Sequence, residues 1–95
     1  MPYLRKIVLH LVSGDLSRIP MLVEDFIRDG VIYVGVAGHD CERVEDLIDE
    51  VVVGSGDREY DMLTSSHPGE TLEEVCQFAR SLTSEFAGDV QIVEA

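Results

Sequence analysis

The sequence predicts an α/β fold: a single domain over residues 1–95, with four mostly parallel strands and three helices in the order βαβαβαβ. Short apolar runs of strand length alternate with longer segments whose apolar residues repeat at helical spacing. This alternation is typical of helices packed on a parallel sheet, in two or three layers. Clusters of glycine, serine and aspartate separate the segments, and these residues favour turns.

The first half of the chain predicts two strands around one helix. Residues 31–36 are almost wholly apolar and residues 7–12 are apolar except for His10, as expected of strands over residues 4–12 and 31–36 that are buried on both faces. Between them, Ser17 is the predicted N-cap, Pro20 falls in the first turn, and Gly30 can adopt a left-handed cap at the end. The apolar stripe of this helix is Ile19, Leu22, Val23, Phe26 and Ile27.

A second helix follows, with Asp40 as its predicted cap. A loop over residues 52–58 then leads to a weaker and more polar third strand over residues 60–65. The stripe of the second helix is Cys41, Val44, Leu47, Ile48 and Val51.

Thr71 and Glu74 have the spacing of a capping box, which predicts the start of the third helix. Gly88 and Asp89 then precede a final strand over residues 90–93. The stripe of the third helix is Leu72, Val75, Cys76, Ala79, Leu82 and Phe86.

Right-handed crossovers leave few possible strand orders, of which 2-1-3-4 is the expected one. The switch point would then lie between strands one and three, with residues 13–15 and 64–70 at its mouth. An order with strands two and three adjacent would instead bring His39, Asp40 and Cys41 beside His67.

Charge and cysteine content restrict the partners and the compartment. A net charge of −12 would repel nucleic acids and anionic membranes, so neither is expected as a partner. Cys41 and Cys76 fall on predicted apolar helix faces, which favours free thiols in a reducing compartment over a disulfide. The apolar run after Lys6 is too short for a signal-peptide core or a membrane span, so we expect a cytoplasmic protein.

Two polar clusters, residues 37–41 and 64–70, follow strands and contain the candidate site residues. Cys41 could act as a nucleophile with His67 or His39 as its base, although its place on the helical stripe favours a buried core thiol. His67 and Glu70 flank a turn at the start of the third helix, where both could simply organise the chain. The candidate site is His39, Asp40, Cys41, His67 and Glu70.

No motif predicts a metal or a cofactor. The clusters contain metal-ligand residue types without the paired spacing of zinc motifs, and no glycine-rich phosphate-binding motif occurs despite the Rossmann-like order of elements. Residues 40–50 hold six carboxylates against Arg43 alone. Such a face could dock a basic partner, but a solvated surface is the favoured interpretation.

The two clusters resemble signatures of a small bacterial family of uncharacterised proteins, classed as a domain of unknown function. The family signatures are W-G-x-D-C and T-x-W-H-x-x-E-x-L-E-E, and the resemblance covers roughly residues 5–82. Ala37 and Ser66 stand where the family has tryptophan. The resemblance implies no activity, but it draws attention to its matched polar residues. The matches are Gly38, Asp40, Cys41, Thr64, His67, Glu70, Leu72, Glu73 and Glu74.

The function expected from the sequence is therefore that of a non-enzymatic interaction or regulatory domain, which binds a protein partner or self-associates. A four-stranded sheet has two edges, and an unprotected edge can pair with a second copy. The alternative is a small enzyme or ligand-binding domain that uses Asp40, Cys41, His67 and Glu70. Close approach of His67 to Cys41 or Asp40 in an open cleft would favour that alternative.

Overall fold

A computed structural model of the chain describes residues 3–13, 15–54, 62–83 and 86–95. The predicted α/β class is confirmed: one sheet of four parallel strands is combined with three helices. The elements are β1 (Lys6–Leu11), α1 (Ile19–Asp29), β2 (Tyr33–Gly38), α2 (Cys41–Val53), β3 (Leu63–Ser66), α3 (Leu72–Ser81) and β4 (Val90–Glu94).

The strand order is β3-β2-β1-β4, which differs from the expected 2-1-3-4 and has strands two and three adjacent. The difference follows from polarity. In the expected order β3 would be an interior strand, but its sequence is Leu-Thr-Ser-Ser and none of its four residues is fully buried. By contrast, β2 is buried over five of its six residues. A half-polar strand is more stable at an edge, where it needs burial on fewer sides.

The helices are divided unequally between the two faces of the sheet. Both α1 and α2 pack on one face, and α3 packs alone on the other, which gives three layers. The buried residues of the larger core are Ile7, Leu9, Leu11, Ile19, Val23, Phe26, Val31, Val34, Val36, Cys41, Val44 and Ile48. Those under α3 are Val8, Tyr33, Ala37, Val75, Cys76 and Ala79.

This order moves the switch point to the boundary between β1 and β4, because α1 and α2 connect β1 to β2 and β3 across one face, whereas α3 connects β3 to β4 across the other. Ser13 and Asp15 lie at this boundary, as expected, whereas residues 64–70 do not. Those residues lie instead beside the loop that follows β2.

Two of the three predicted helix starts differ in detail. The first helix begins at Ile19 with Arg18 in the cap position, and the backbone N–H of Ser17 is bonded to Asp15. Asp40 does occupy the cap position of α2, but its backbone is left-handed at φ 64° and its side chain makes no capping bond. The cap of α1 by Gly30, at φ 84°, is as predicted.

The third strand is shifted from its predicted bounds. It covers Leu63–Ser66 instead of residues 60–65, and α2 continues through Val53 into the predicted loop. Residues 55–61, which hold most of that loop and the predicted start of the strand, lie outside the described residues.

Gly35 allows a tyrosine to cross the face of β2. Tyr33 and Gly35 point to the same side of the strand, and an added Cβ on Gly35 would lie 2.5 Å from the Tyr33 hydroxyl oxygen and 3.2 Å from two ring carbons. The ring is therefore able to lie flat across the strand and reach β3.

We predict that Gly35→Ala lowers the free energy of unfolding by about 2 kcal/mol, because the new methyl group displaces a buried ring. In a Tyr33→Phe background the same change should cost less, since the atom nearest to the new Cβ is gone. Urea unfolding of the four proteins in this cycle measures the difference. If Gly35→Ala lowered the free energy of unfolding equally in both backgrounds, the expected clash between the new Cβ and the Tyr33 hydroxyl would be contradicted.

The capping box at α3 is formed as predicted. The Glu74 amide donates to Thr71 Oγ1 at 3.1 Å, and the Thr71 amide donates to Glu74 Oε1 at 3.0 Å. These bonds to Thr71 lower the pKa of the Glu74 carboxyl.

We predict that Thr71→Ala lowers the free energy of unfolding by about 1 kcal/mol, with the exposed Thr83→Ala as the control. Because the folded-state pKa of Glu74 is lowered, its contribution is present above the ordinary glutamate pKa of about 4.3 and is lost as the pH falls. Glu74→Gln has no carboxylate to titrate at this position and should therefore lose less stability on acidification than the wild type. A parallel loss in both proteins, measured by chemical unfolding at several pH values, would refute this.

Candidate functional site

The loops after β2 and β3 lie side by side, because these strands are neighbours. Together they line an open groove of about 750 Å³. Four of the five candidate residues border it, and His67 lies behind it as a buried side chain. The lining residues are Gly38, His39, Asp40, Cys41, Glu42, Arg43, Pro68, Gly69 and Glu70.

Cys41 has the surroundings of a core thiol. It is 2% exposed and belongs to the same buried cluster as Val44 and Ile48. It makes no described hydrogen bond with either His39 or His67. The geometry therefore gives no support to a nucleophile at Cys41. Cys76 is equally buried, on the side of α3 that packs against the sheet.

His39 and Asp40 remain at the surface. The His39 side chain is 93% exposed, and its Nε2 lies 3.8 Å from Asp40 Oδ1. Neither residue makes a described contact with His67. Within the described ranges, no three histidine, cysteine or acidic side chains are arranged to hold a metal ion.

His67 and Glu70 form one end of a hydrogen-bonded chain that extends into the core. Glu70 Oε2 lies 3.0 Å from His67 Nδ1, and His67 Nε2 lies 2.8 Å from Ser65 Oγ. Ser65 Oγ in turn lies 2.7 Å from the Tyr33 hydroxyl. The chain therefore joins the start of α3 to β3 and then to β2.

The carboxylate of Glu70 at one end and the hydroxyl of Tyr33 at the other set the direction of each hydrogen bond in this chain. An ionised Glu70 only accepts, so His67 carries its proton on Nδ1 and, when neutral, accepts at Nε2. Ser65 must then donate to His67, and Tyr33 must donate to Ser65. Burial raises the pKa of Tyr33, which keeps its hydroxyl protonated as this arrangement requires.

Two apolar side chains, Phe78 and Leu63, lie on the solvent side of this chain of hydrogen bonds. The Phe78 ring contacts the His67 ring edge-to-face, with centroids 5.0 Å apart. Leu63 lies two residues before Ser65 and therefore on the same face of β3. Phe78 and Leu63 are 43% and 46% exposed, so they form an apolar surface beside a partly buried serine.

The opposite face of β3 is tied to α2 by polar side chains. Glu45 accepts a hydrogen bond from Ser66 at 2.8 Å, and the single hydroxyl proton of Thr64 is shared between Asp49 at 2.9 Å and Glu45 at 3.2 Å. Two of the six carboxylates in residues 40–50 are thus engaged within the fold.

Tyr33, Ser65 and Phe78 were not among the residues selected from the sequence. A signal for Ser65 was present, because residues two apart on a strand share a face and Ser65 is two residues before His67. The contact of the Tyr33 hydroxyl with Ser65 could be predicted only if β2 and β3 were known to be adjacent.

A different part of the molecule, β4, is incompletely covered. No described residue pairs with its outer side. The Ala95 amide bonds to His10 of β1, so by alternation the amides of Val90, Ile92 and Glu94 point away from the sheet. On the α3 face, Ile92 is 47% exposed.

The other face of β4 borders a groove of about 260 Å³ beside α1. Val93 forms part of its floor, and the exposed Met21 lies at its margin. In the part of the chain that the structure describes, β4 thus has one hydrogen-bonded neighbour and an accessible surface on its remaining sides. The groove is lined by Tyr3, Ser13, Asp15, Arg18, Met21, Leu22, Asp25, Val93, Glu94 and Ala95.

Comparison with known families matches residues 4–94 to a domain of unknown function, DUF7684. The chain belongs to this family. The match confirms the resemblance to a family of unknown function and supplies no activity. Comparisons with curated proteins and with solved structures found no match. Among the described residues, no helix is both long and apolar enough to cross a membrane.

We predict that His67→Ala lowers the free energy of unfolding by about 2 kcal/mol, because it removes two hydrogen bonds and a buried ring contact. His39→Ala is the matched control and should change stability by less than about 0.5 kcal/mol, since that side chain is exposed. Thermal and urea unfolding measure both. Equal stability of the two variants would show that the hydrogen bonds of His67 with Ser65 and Glu70 do not stabilise the fold.

Proposed function

We propose that this chain is an interaction domain that self-associates through β4. Strand β4 of one copy would pair antiparallel with β4 of a second copy, so that two four-stranded sheets become one. The observation that carries the proposal is the outer side of β4, where Val90, Ile92 and Glu94 direct away from the sheet backbone groups with which no described residue pairs. Such an edge is a template for strand pairing.

The composition of β4 favours this pairing. The strand is Val-Gln-Ile-Val-Glu, which is rich in β-branched residues and carries a single charge. Pairing centred on Ile92 would bring the two exposed isoleucines together on the α3 face. Burying them there would stabilise the pair by the hydrophobic effect.

The carboxylates of α2, which carry much of the negative charge, lie far from this edge. The acidic helix α2 packs against β2 and β3, on the far side of the sheet from β4. Three strand spacings, about 14 Å, separate β4 from β3. This distance exceeds the Debye length of about 8 Å at physiological ionic strength, so the two acidic helices of a pair would repel each other weakly.

The edge at β3 is less suited to the same role. It is one residue shorter than β4, and Thr64 and Ser66 bond to the carboxylates of α2 at its side. A second copy at this edge would bring two sets of those carboxylates together. The proposal therefore concerns β4 alone.

We keep the cytoplasm as the proposed location. Cys41 and Cys76 are free and buried, which fits a reducing compartment.

We predict that the wild-type protein is a concentration-dependent dimer and that Ile92→Lys and Ile92→Pro both weaken it at least about tenfold. Lysine places two like charges at the centre of the pair, while proline removes an outward N–H without breaking the bonds to β1. Size-exclusion chromatography with light scattering over a dilution series measures the dissociation.

Leu63→Lys is the matched control, because Leu63 is almost as exposed as Ile92, at 46% against 47%, and lies on the opposite edge. It should leave the dimer unchanged. A strictly monomeric wild type at high concentration would refute self-association. A dimer that Leu63→Lys disrupts and Ile92→Lys does not would place the interface elsewhere.

A further inference from the structure

We propose that Ser65 is a nucleophile toward small apolar carboxylic esters, with His67 as its general base and Glu70 as the positioning residue. This activity goes beyond self-association and uses the opposite edge of the sheet. The geometry that carries it is the sequence of two hydrogen bonds, Ser65 Oγ to His67 Nε2 at 2.8 Å and His67 Nδ1 to Glu70 Oε2 at 3.0 Å. Serine, base and orienting carboxylate have this arrangement in serine hydrolases of unrelated folds.

The proposed reaction has two steps. Ser65 Oγ attacks the ester carbonyl carbon as its proton passes to His67 Nε2, and the carbonyl electrons form an oxyanion. The oxyanion collapses, the bond to the alkoxy group breaks, and His67 returns the proton to the departing alcohol. Water then attacks the acyl-serine with His67 again as base, which releases the carboxylic acid and restores Ser65.

The directions of the hydrogen bonds already suit this chemistry. Glu70 holds the His67 proton on Nδ1, so Nε2 is free to accept from Ser65. Tyr33 donates to Ser65 Oγ at 2.7 Å, and this bond holds the hydroxyl oxygen in place beside His67 Nε2. Because burial raises the pKa of Tyr33, this donor is retained at neutral pH.

The surroundings indicate the class of substrate. Ser65 is partly exposed on the α3 face, whereas His67 is buried behind it at 6% exposure. Leu63 and Phe78 provide nearly half-exposed apolar surface next to the serine. A short acyl chain could lie on this surface, while carboxylates on α2 lie on the other face of β3.

The neighbouring serine offers a test within the same strand. Ser66 points to the opposite face, where it donates to Glu45, and it has no described contact with His67. The activity is therefore expected to depend on Ser65 and to be independent of Ser66.

The experiment treats the full chain with an alkyl fluorophosphonate and maps the adduct by mass spectrometry, with hydrolysis of p-nitrophenyl acetate followed in parallel. We expect one adduct, on Ser65, and loss of about a hundredfold in hydrolysis rate for Ser65→Ala. Ser66→Ala should keep both the adduct and the rate. Glu70→Gln should lower kcat at least about tenfold and leave KM unchanged.

Mapping on the wild-type protein requires no variant, so a poorly folded Ser65→Ala protein would not obscure the result. Absence of an adduct on Ser65, or an adduct on another residue, would overturn the proposal. Equal hydrolysis by the wild type and a folded Ser65→Ala protein would also overturn it, because exposed histidines alone would then explain the rate. None of these outcomes bears on the interface at β4.

Discussion

The unequal division of three helices between the two faces of the sheet is the constraint on which the rest of the structure depends. Two helices cover one face, but α3 alone must cover the other. A helix is about 10 Å across, and four strands span about 14 Å between the outer axes, so α3 leaves both margins of its face without a helix. The two margins differ in how far the described side chains cover them.

At the β3 margin, side chains replace the missing helix. Tyr33 crosses Gly35 to reach Ser65, and His67 continues the chain of hydrogen bonds to Glu70 at the start of α3. At the β4 margin, no described residue has this role, and the outer backbone groups and Ile92 remain accessible. The two proposals follow from this difference, since an accessible edge favours association and a preorganised polar chain favours chemistry.

Much of the fold could be predicted because periodicity and capping act locally. The stripes of the helices, the capping box at Thr71 and the left-handed cap at Gly30 all depend on residues a few positions apart. The strand order depends on contacts between distant segments, and the expected order 2-1-3-4 is wrong; the polarity of β3 favours the edge position that this strand occupies. His67 and Glu70 are three residues apart in the sequence, whereas Tyr33 could be assigned to them only once β2 and β3 were known to be adjacent.

The central claim, that the two edges differ, is tested most directly by amide hydrogen exchange measured by NMR at increasing protein concentration. Paired amides exchange slowly and unpaired ones do not. The account predicts that the outward amides of β4, at Val90, Ile92 and Glu94, become protected as concentration rises, while those of Thr64 and Ser66 in β3 do not change. Exchange at β4 that is independent of concentration, or protection that appears at β3 instead, would contradict it.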